Sequence, residues 1–143
     1  MKLYAKFHLV SVLILLLLAA LSGCLPNQKA GLSDQQVASV TENILKALDQ
    51  NNYPAFTHDL SPQMKSAFPP DKFNQLRTML SGASGNFIYS NAPSLSNSQG
   101  YAVYRFPCKY ANETVTVTVT FVIGGQEVEG LWFDSTNLRK VSQ

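Results

Sequence analysis

Residues 114–123 read Thr-Val-Thr-Val-Thr-Val-Thr-Phe-Val-Ile. Apolar and hydroxyl side chains alternate with the period of a half-buried strand. Val115, Val117, Val119 and Phe121 point one way, and Thr114, Thr116, Thr118 and Thr120 point the other. Gly124-Gly125 follows and reads as a two-residue hairpin turn, which makes Gln126 to Asp134 the returning strand. That register sets Phe121 opposite Val128, Val119 opposite Gly130 and Val117 opposite Trp132. Upstream, Tyr101 to Tyr110 is a further strand. A turn at Asn112-Glu113 sets Cys108 opposite Val117 and Phe106 opposite Val119. One face then gathers Tyr104, Phe106, Cys108, Tyr110, Val115, Val117, Val119, Phe121, Ile123, Val128 and Trp132, and it is a core face. The other carries Arg105, Lys109, Thr116, Thr118, Thr120, Glu127 and Glu129, and it is wet. Leu131 and Phe133 do not suit a wet face, and a bulge at Gly130 would turn them inward. A first strand is expected over Asn86 to Ala92, with Pro93 to Gly100 as a polar loop.

Before Gly85 the period is helical. Ser33 and Gln36 form a capping box, with Leu32 and Val37 spaced for a hydrophobic staple. Val37, Val40, Ile44, Leu45 and Leu48 continue as one apolar stripe, which ends near Asp49 to Asn52 because Pro54 disfavours helix at Tyr53. Pro54 opens a short helix with Phe56. Ser61-Pro62 opens another with Met64, Ala67 and Phe68. Pro69-Pro70 breaks the chain, and Asp71 begins a segment with Phe73, Leu76, Met79 and Leu80 on one face. Helices followed by an antiparallel sheet with one apolar face predict an α+β fold, with N-terminal helices packed on a curved four-stranded sheet.

This order, with Ile44-Leu45-Lys46-Ala47-Leu48 leading into Asn52-Tyr53-Pro54-Ala55-Phe56, resembles the nuclear transport factor 2-like, cystatin-like cone superfamily. Asp71-Lys72-Phe73 and Val128-x-Gly130-Leu131-x-Phe133 add to the likeness, which covers roughly residues 33–134. Within that superfamily the chain is similar to an uncharacterised group of exported, often lipid-anchored domains. The resemblance implies a cone-shaped sheet that hosts either an enzyme pocket or a binding module.

The N-terminus reads as a targeting segment. Lys2 and Lys6 precede an apolar run, Leu9 to Leu21, interrupted only by Ser11. Its 13 residues are too few to span ~30 Å of hydrocarbon comfortably, and they have the length of a signal-peptide core. Leu21-Ser22-Gly23-Cys24 resembles the lipobox of prokaryotic lipoproteins. That resemblance implies cleavage before Cys24 and a diacylglyceryl group on its thiol. The expected divisions are a signal peptide at 1–23, the lipidated cysteine and a tether at 24–32, and one domain at 33–143. Leu25 to Gly31 reads as the tether, reaching ~23 Å if extended. The domain is therefore expected outside the cytoplasm, anchored to the cell membrane, or to the outer membrane where the host has one.

Composition limits the chemistry. Hydrophobic residues at 45% allow a packed core and exclude a disordered chain. Without Lys2 and Lys6 the eleven basic residues fall to nine, equal to the nine acidic ones, so nucleic acid is not expected as a partner. With Cys24 committed to lipid, Cys108 has no disulfide partner, and burial in the core is its expected fate. His58 is the sole histidine outside the signal segment. His58-Asp59 is the one acid/base candidate, but neighbours on a helix point ~100° apart. No metal site, cofactor motif or nucleophile elbow is expected. Tyr104, Cys108, Tyr110, Trp132 and His58 are the candidate pocket residues, and Tyr104, Tyr110 and Trp132 equally suit core filling. Asn112-Glu113-Thr114 is a glycosylation sequon in an expected turn. The expected function is a non-catalytic module binding a small apolar ligand or an envelope protein. The alternative is a small cone-pocket enzyme doing acid/base chemistry on an apolar substrate.

Overall fold

The computed structural model describes residues 27–141; the expected signal peptide at 1–23 and Cys24 lie outside them. Helix α1, Asp34–Asp49, starts at the expected capping box: the Gln36 amide donates to Ser33 Oγ at 3.2 Å, and the Ser33 amide to Gln36 Oε1 at 2.9 Å. Two orphan amides of the first turn are thereby satisfied. Its buried stripe is Val37, Thr41, Ile44, Leu45, Ala47 and Leu48. The helix ends where Asn51 takes φ 53°, a left-handed conformation that asparagine tolerates, and the Asn52 amide donates back to Ala47 O at 2.8 Å.

Short helices α2, Tyr53–Thr57, and α3, Pro62–Ala67, each carry proline in the first turn and a side-chain cap, from Asn52 and Ser61. Helix α4, Pro70–Ala83, buries Phe73 and Leu80. Phe73 meets Phe56 with ring centroids 5.0 Å apart. A further helix, α5, Thr136–Val141, closes the described chain and has no counterpart in the sequence reading.

The strands are β1, Phe87–Ser90; β2, Ser94–Ser98; β3, Tyr101–Tyr110; β4, Thr114–Val122; and β5, Val128–Asp134. Among the described residues the fold is therefore α+β, with five helices and one open, five-stranded antiparallel sheet. The expected four strands are corrected to five. Strand β2 lies in the supposed polar loop and forms a backbone ladder with β3, Ser94 opposite Arg105 through Ser98 opposite Tyr101. Strand β1 pairs with the other end of the same β3 edge, Phe87 opposite Tyr110. Together β1 and β2 make one edge interrupted around Pro93.

The β3–β4 hairpin turns at Ala111-Asn112, so Cys108 faces Val115 and Phe106 faces Val117. The expected register is off by two residues, an even shift that leaves every side chain on its face. Phe121 faces Val128 as expected, but a bulge follows. Val119 then faces Leu131, Val117 faces Phe133, and Thr118 faces Trp132. An odd shift exchanges the faces. Leu131 and Phe133 turn toward the core, and Trp132 leaves the core face on which the regular register placed it. The core face otherwise holds: Tyr104, Phe106, Cys108, Tyr110, Val115, Val117, Val119, Phe121 and Val128 are buried and form one cluster with the helices.

The β4–β5 connection is not a two-residue turn. The Gly125 amide donates to Val122 O at 2.8 Å, with Gly124 at φ 76°, and the strand resumes only at Val128. The turn opens because another segment is bonded into it. The Gly31 amide donates to Gly125 O at 2.6 Å, and the Gly124 amide donates to Lys29 O at 3.0 Å. A Cβ on Gly31 would lie 2.3 Å from Gly124 O, so only glycine permits this approach. Further along, the Ala30 amide donates to the Tyr104 hydroxyl at 3.2 Å. The Gln28 amide donates to Asn97 Oδ1 at 2.7 Å, Asn97 Nδ2 donates to Gln28 O at 2.6 Å, and Asn27 Nδ2 donates to Leu95 O at 2.9 Å. Residues 27–31 are thus a strap docked on the sheet, with Ala30 in the core, where the sequence suggested a free tether.

Candidate functional site

The five candidate pocket residues are not brought together. Tyr104, Cys108 and Tyr110 are buried at 1%, 0% and 1% exposure. They pack among aromatic neighbours: Tyr104 with Phe121 at 5.9 Å and Tyr110 with Phe87 at 5.7 Å, both edge to face. None of the three hollows described below is lined by them. Burial pushes the Cys108 thiol up to about 12, and the nearby Glu42 carboxylate adds to this. Burial likewise raises the Tyr110 hydroxyl, with smaller contributions from Cys108 and Asp49. A thiol so protonated is a poor nucleophile. Cys108 in the native protein is therefore expected to react with a disulfide reagent only as fast as the fold opens. Cys108→Ala is expected to cost about 1–2 kcal/mol as a small core truncation. Stopped-flow labelling with and without denaturant checks the first, and chemical denaturation the second.

Trp132 is 68% exposed and stands at a groove of about 440 Å³. The bulge in β5 places it there. Leu131 and Phe133 from the same strand, Leu76 and Met79 from α4, Phe68 after α3, and Leu138 from α5 supply the rest of the apolar wall. Phe68 is held by a hydrogen bond from the Tyr53 hydroxyl to its carbonyl, 3.0 Å. The polar members are Asp134 and Arg139, paired through Nε–Oδ1 at 2.7 Å and Nη2–Oδ2 at 3.0 Å. An exposed pair of this kind adds little stability. It places an ionic pair in the wall of an otherwise apolar trough. Met79 also lines a second hollow of about 570 Å³, with Asn74, Gln75, Thr78 and Val141.

His58 lines a third hollow of about 300 Å³ with Asn43, Lys46, Gln50 and Asp59. The expectation that His58 and Asp59 point apart is overturned: His58 Nδ1 and Asp59 Oδ1 are 2.7 Å apart. Both residues lie beyond the last residue of α2, in the turn that follows it. The imidazole side chain is 79% exposed. Among the described residues no three His, Cys, Asp or Glu side chains converge on a point where a metal ion would sit.

Glu113, expected in a turn, is a junction. Its Oε1 accepts from Ser84 Oγ at 2.6 Å and Ser135 Oγ at 2.8 Å, and its Oε2 accepts from the Asn137 amide at 3.2 Å. It ties the β3–β4 turn to the end of α4 and the start of α5. Burial alone would raise its carboxyl. The hydrogen bonds from Ser84, Ser135 and Asn137, with Lys140 nearby, outweigh that and hold it below the usual range. Asn112, the sequon residue, is exposed in the adjoining turn, and its amide donates to Ser84 O at 3.0 Å.

A family model described as a protein of unknown function, DUF3887, matches residues 41–130, more than half of the chain. No curated protein and no solved structure matches it.

Proposed function

Because the chain belongs to the DUF3887 family, which carries no assigned function, we propose a role from its own residues: a lipid-anchored, extracytoplasmic module that binds a small apolar ligand without catalysis. The observation that carries the binding reading is the groove beside Trp132. Its volume falls within the ~300–1,000 Å³ of small-molecule sites, and its wall is apolar with one fixed polar pair. The anchoring reading rests on Leu21-Ser22-Gly23-Cys24 and the apolar run before it. Leu25, rather than an acidic residue, follows the cysteine, which favours the outer membrane in a two-membrane host. Helices followed by an antiparallel sheet also support placing the domain among the nuclear transport factor 2-like, cystatin-like folds, with the cone filled by Tyr104, Phe106 and Tyr110. A second reading, acid/base catalysis, has one observation in its favour: the His58–Asp59 pair. The His58 imidazole of that pair lies open to water, where a general base gains little from its surroundings.

Trp132 is the single tryptophan of the chain, so its emission reports on the groove. Titration with anilinonaphthalene sulfonate is expected to give energy transfer from Trp132 to bound probe. Met79→Glu is expected to weaken probe binding about tenfold, ~1.4 kcal/mol. His58→Ala is expected to leave it unchanged. Equal binding by Met79→Glu overturns the groove reading, and a turnover lost in His58→Ala overturns the non-catalytic one.

A further inference from the structure

We propose that the β1/β2 edge of the sheet is the surface that faces the lipid bilayer, so that the Trp132 groove lies at the edge of the sheet far from it. This rests on the anchoring reading of Cys24. The strap is hydrogen-bonded from Asn27 onward, and Asn27 sits against Leu95 of β2. Three residue steps separate Asn27 from Cys24, a span of at most about 11 Å. A free tether would let the domain turn in any direction, whereas a docked one holds the β2 edge against the membrane.

The same edge has the composition of a membrane interface. Ile88 and Tyr89 of β1 are 57% and 51% exposed. Tyr89 pairs with Lys109, and Ser94 with Arg105, on the sheet face that the helices leave open. The open-face positions of β1, β2 and β3 are Tyr, Ser, Val, Pro, Arg and Lys, with no carboxylate among them. On the helix side, Glu42 and Asp49 of α1 lie beside β1; on the open face, Asp134 stands opposite Thr116, two strands from Pro107, and is paired with Arg139. Glu42 is engaged by Lys46 and Ser90, and Asp49 by the Phe87 amide. Tyrosine with Lys and Arg suits the headgroup layer, and the two cations suit anionic lipid. Strand β5 lies three strands across the sheet, about 14 Å away. Its groove lies at that far edge of the sheet, with Trp132 on the same open face as Arg105 and two strands from it.

The test uses full-length protein purified from the membranes of a host that processes lipoproteins. It is reconstituted into phosphatidylcholine–phosphatidylglycerol vesicles bearing a headgroup nitroxide. Mass and flotation first establish that the chain is acylated and vesicle-bound. Quenching is then read from the natural Trp132 and, separately, from Y89W in a W132F background. Several-fold stronger quenching at position 89 than at 132 is expected, and R105E/K109E is expected to reduce it. Equal or stronger quenching at Trp132 overturns the orientation while leaving the anchor intact. An unacylated chain that does not float overturns the anchor, and the orientation with it. Because Y89W lies on the surface, its fold is checked by the unreactive Cys108 thiol.

Discussion

The Cys24→Ser chain is expected to incorporate no labelled palmitate, while the wild-type chain is labelled and sediments with membranes. Serine nearly matches cysteine in size, so the apolar run and the small residues before it are untouched. What is lost is the nucleophile: the thiolate attacks the glyceryl carbon of a phospholipid, the C–S bond forms as the C–O bond to the phosphate breaks and the phosphate headgroup leaves, and a hydroxyl does not replace the thiolate in this. The strength of the anchor follows from burial of acyl chains at ~0.8 kcal/mol per methylene. One chain gives marginal attachment, and two or more give stable attachment. Among residues 27–141 no helix is long and apolar enough to cross a membrane. A wild-type chain without label, or a mutant labelled as strongly as the wild type, would falsify the anchor.

Glu113→Ala is expected to be the most damaging single truncation of a polar side chain, at about 2–4 kcal/mol. It removes three hydrogen bonds and leaves the Ser84 and Ser135 hydroxyls, 0% and 4% exposed, without their acceptor. Glu113→Gln keeps the shape and one carbonyl acceptor, and should lose less. The effect has a definite pH dependence. The carboxyl is held below its unfolded value of 4.5, so the folded state favours the ionised form. That stabilisation is complete above the unfolded value and is lost as pH falls through the lower, folded one. Glu42, lowered by Lys46 and then Ser90, acts in the same direction; Asp49, raised by burial, acts in the opposite one. Urea denaturation at several pH values checks this. The gap between wild type and Glu113→Gln should be widest at neutral pH and narrow as acid is added below 4.5. A gap that is flat or widens with acid removes Glu113 from its role.

What was legible from the sequence was what is written locally. The alternation in residues 114–123 identified the buried face of β4, and the Ser33–Gln36 spacing located the start of α1 to the residue. Most of the misread features depend on partners distant in the chain; the β3–β4 turn and the His58–Asp59 contact are the local exceptions. Strand β2 has little apolar alternation because it is an edge held by the backbone of β3. Gly124-Gly125 looked like a tight turn because nothing nearby announces that Lys29 and Gly31 bond into it. The bulge itself was expected from Leu131 and Phe133, which turn inward; the same shift also turns Trp132 outward, where the regular register had placed it in the core. Glu113 draws its partners from positions 84, 135 and 137, so its junction had no local signature beyond a charged residue in a turn. The burial of Cys108 was foreseeable because it depends only on strand phase.

The split edge of β3 also bears on self-association. A protein tethered to a surface meets its own copies at a high effective concentration, and a long unpaired strand there would invite one sheet to extend into the next. Here four residues of β1 and five of β2 replace what would otherwise be one continuous edge. Pro93 lies between them, β1 is bulged beside Ile88, and Asn27 and Gln28 already bond to β2. The interruption denies a neighbouring copy a run of unpaired amides long enough to template fibrillar growth.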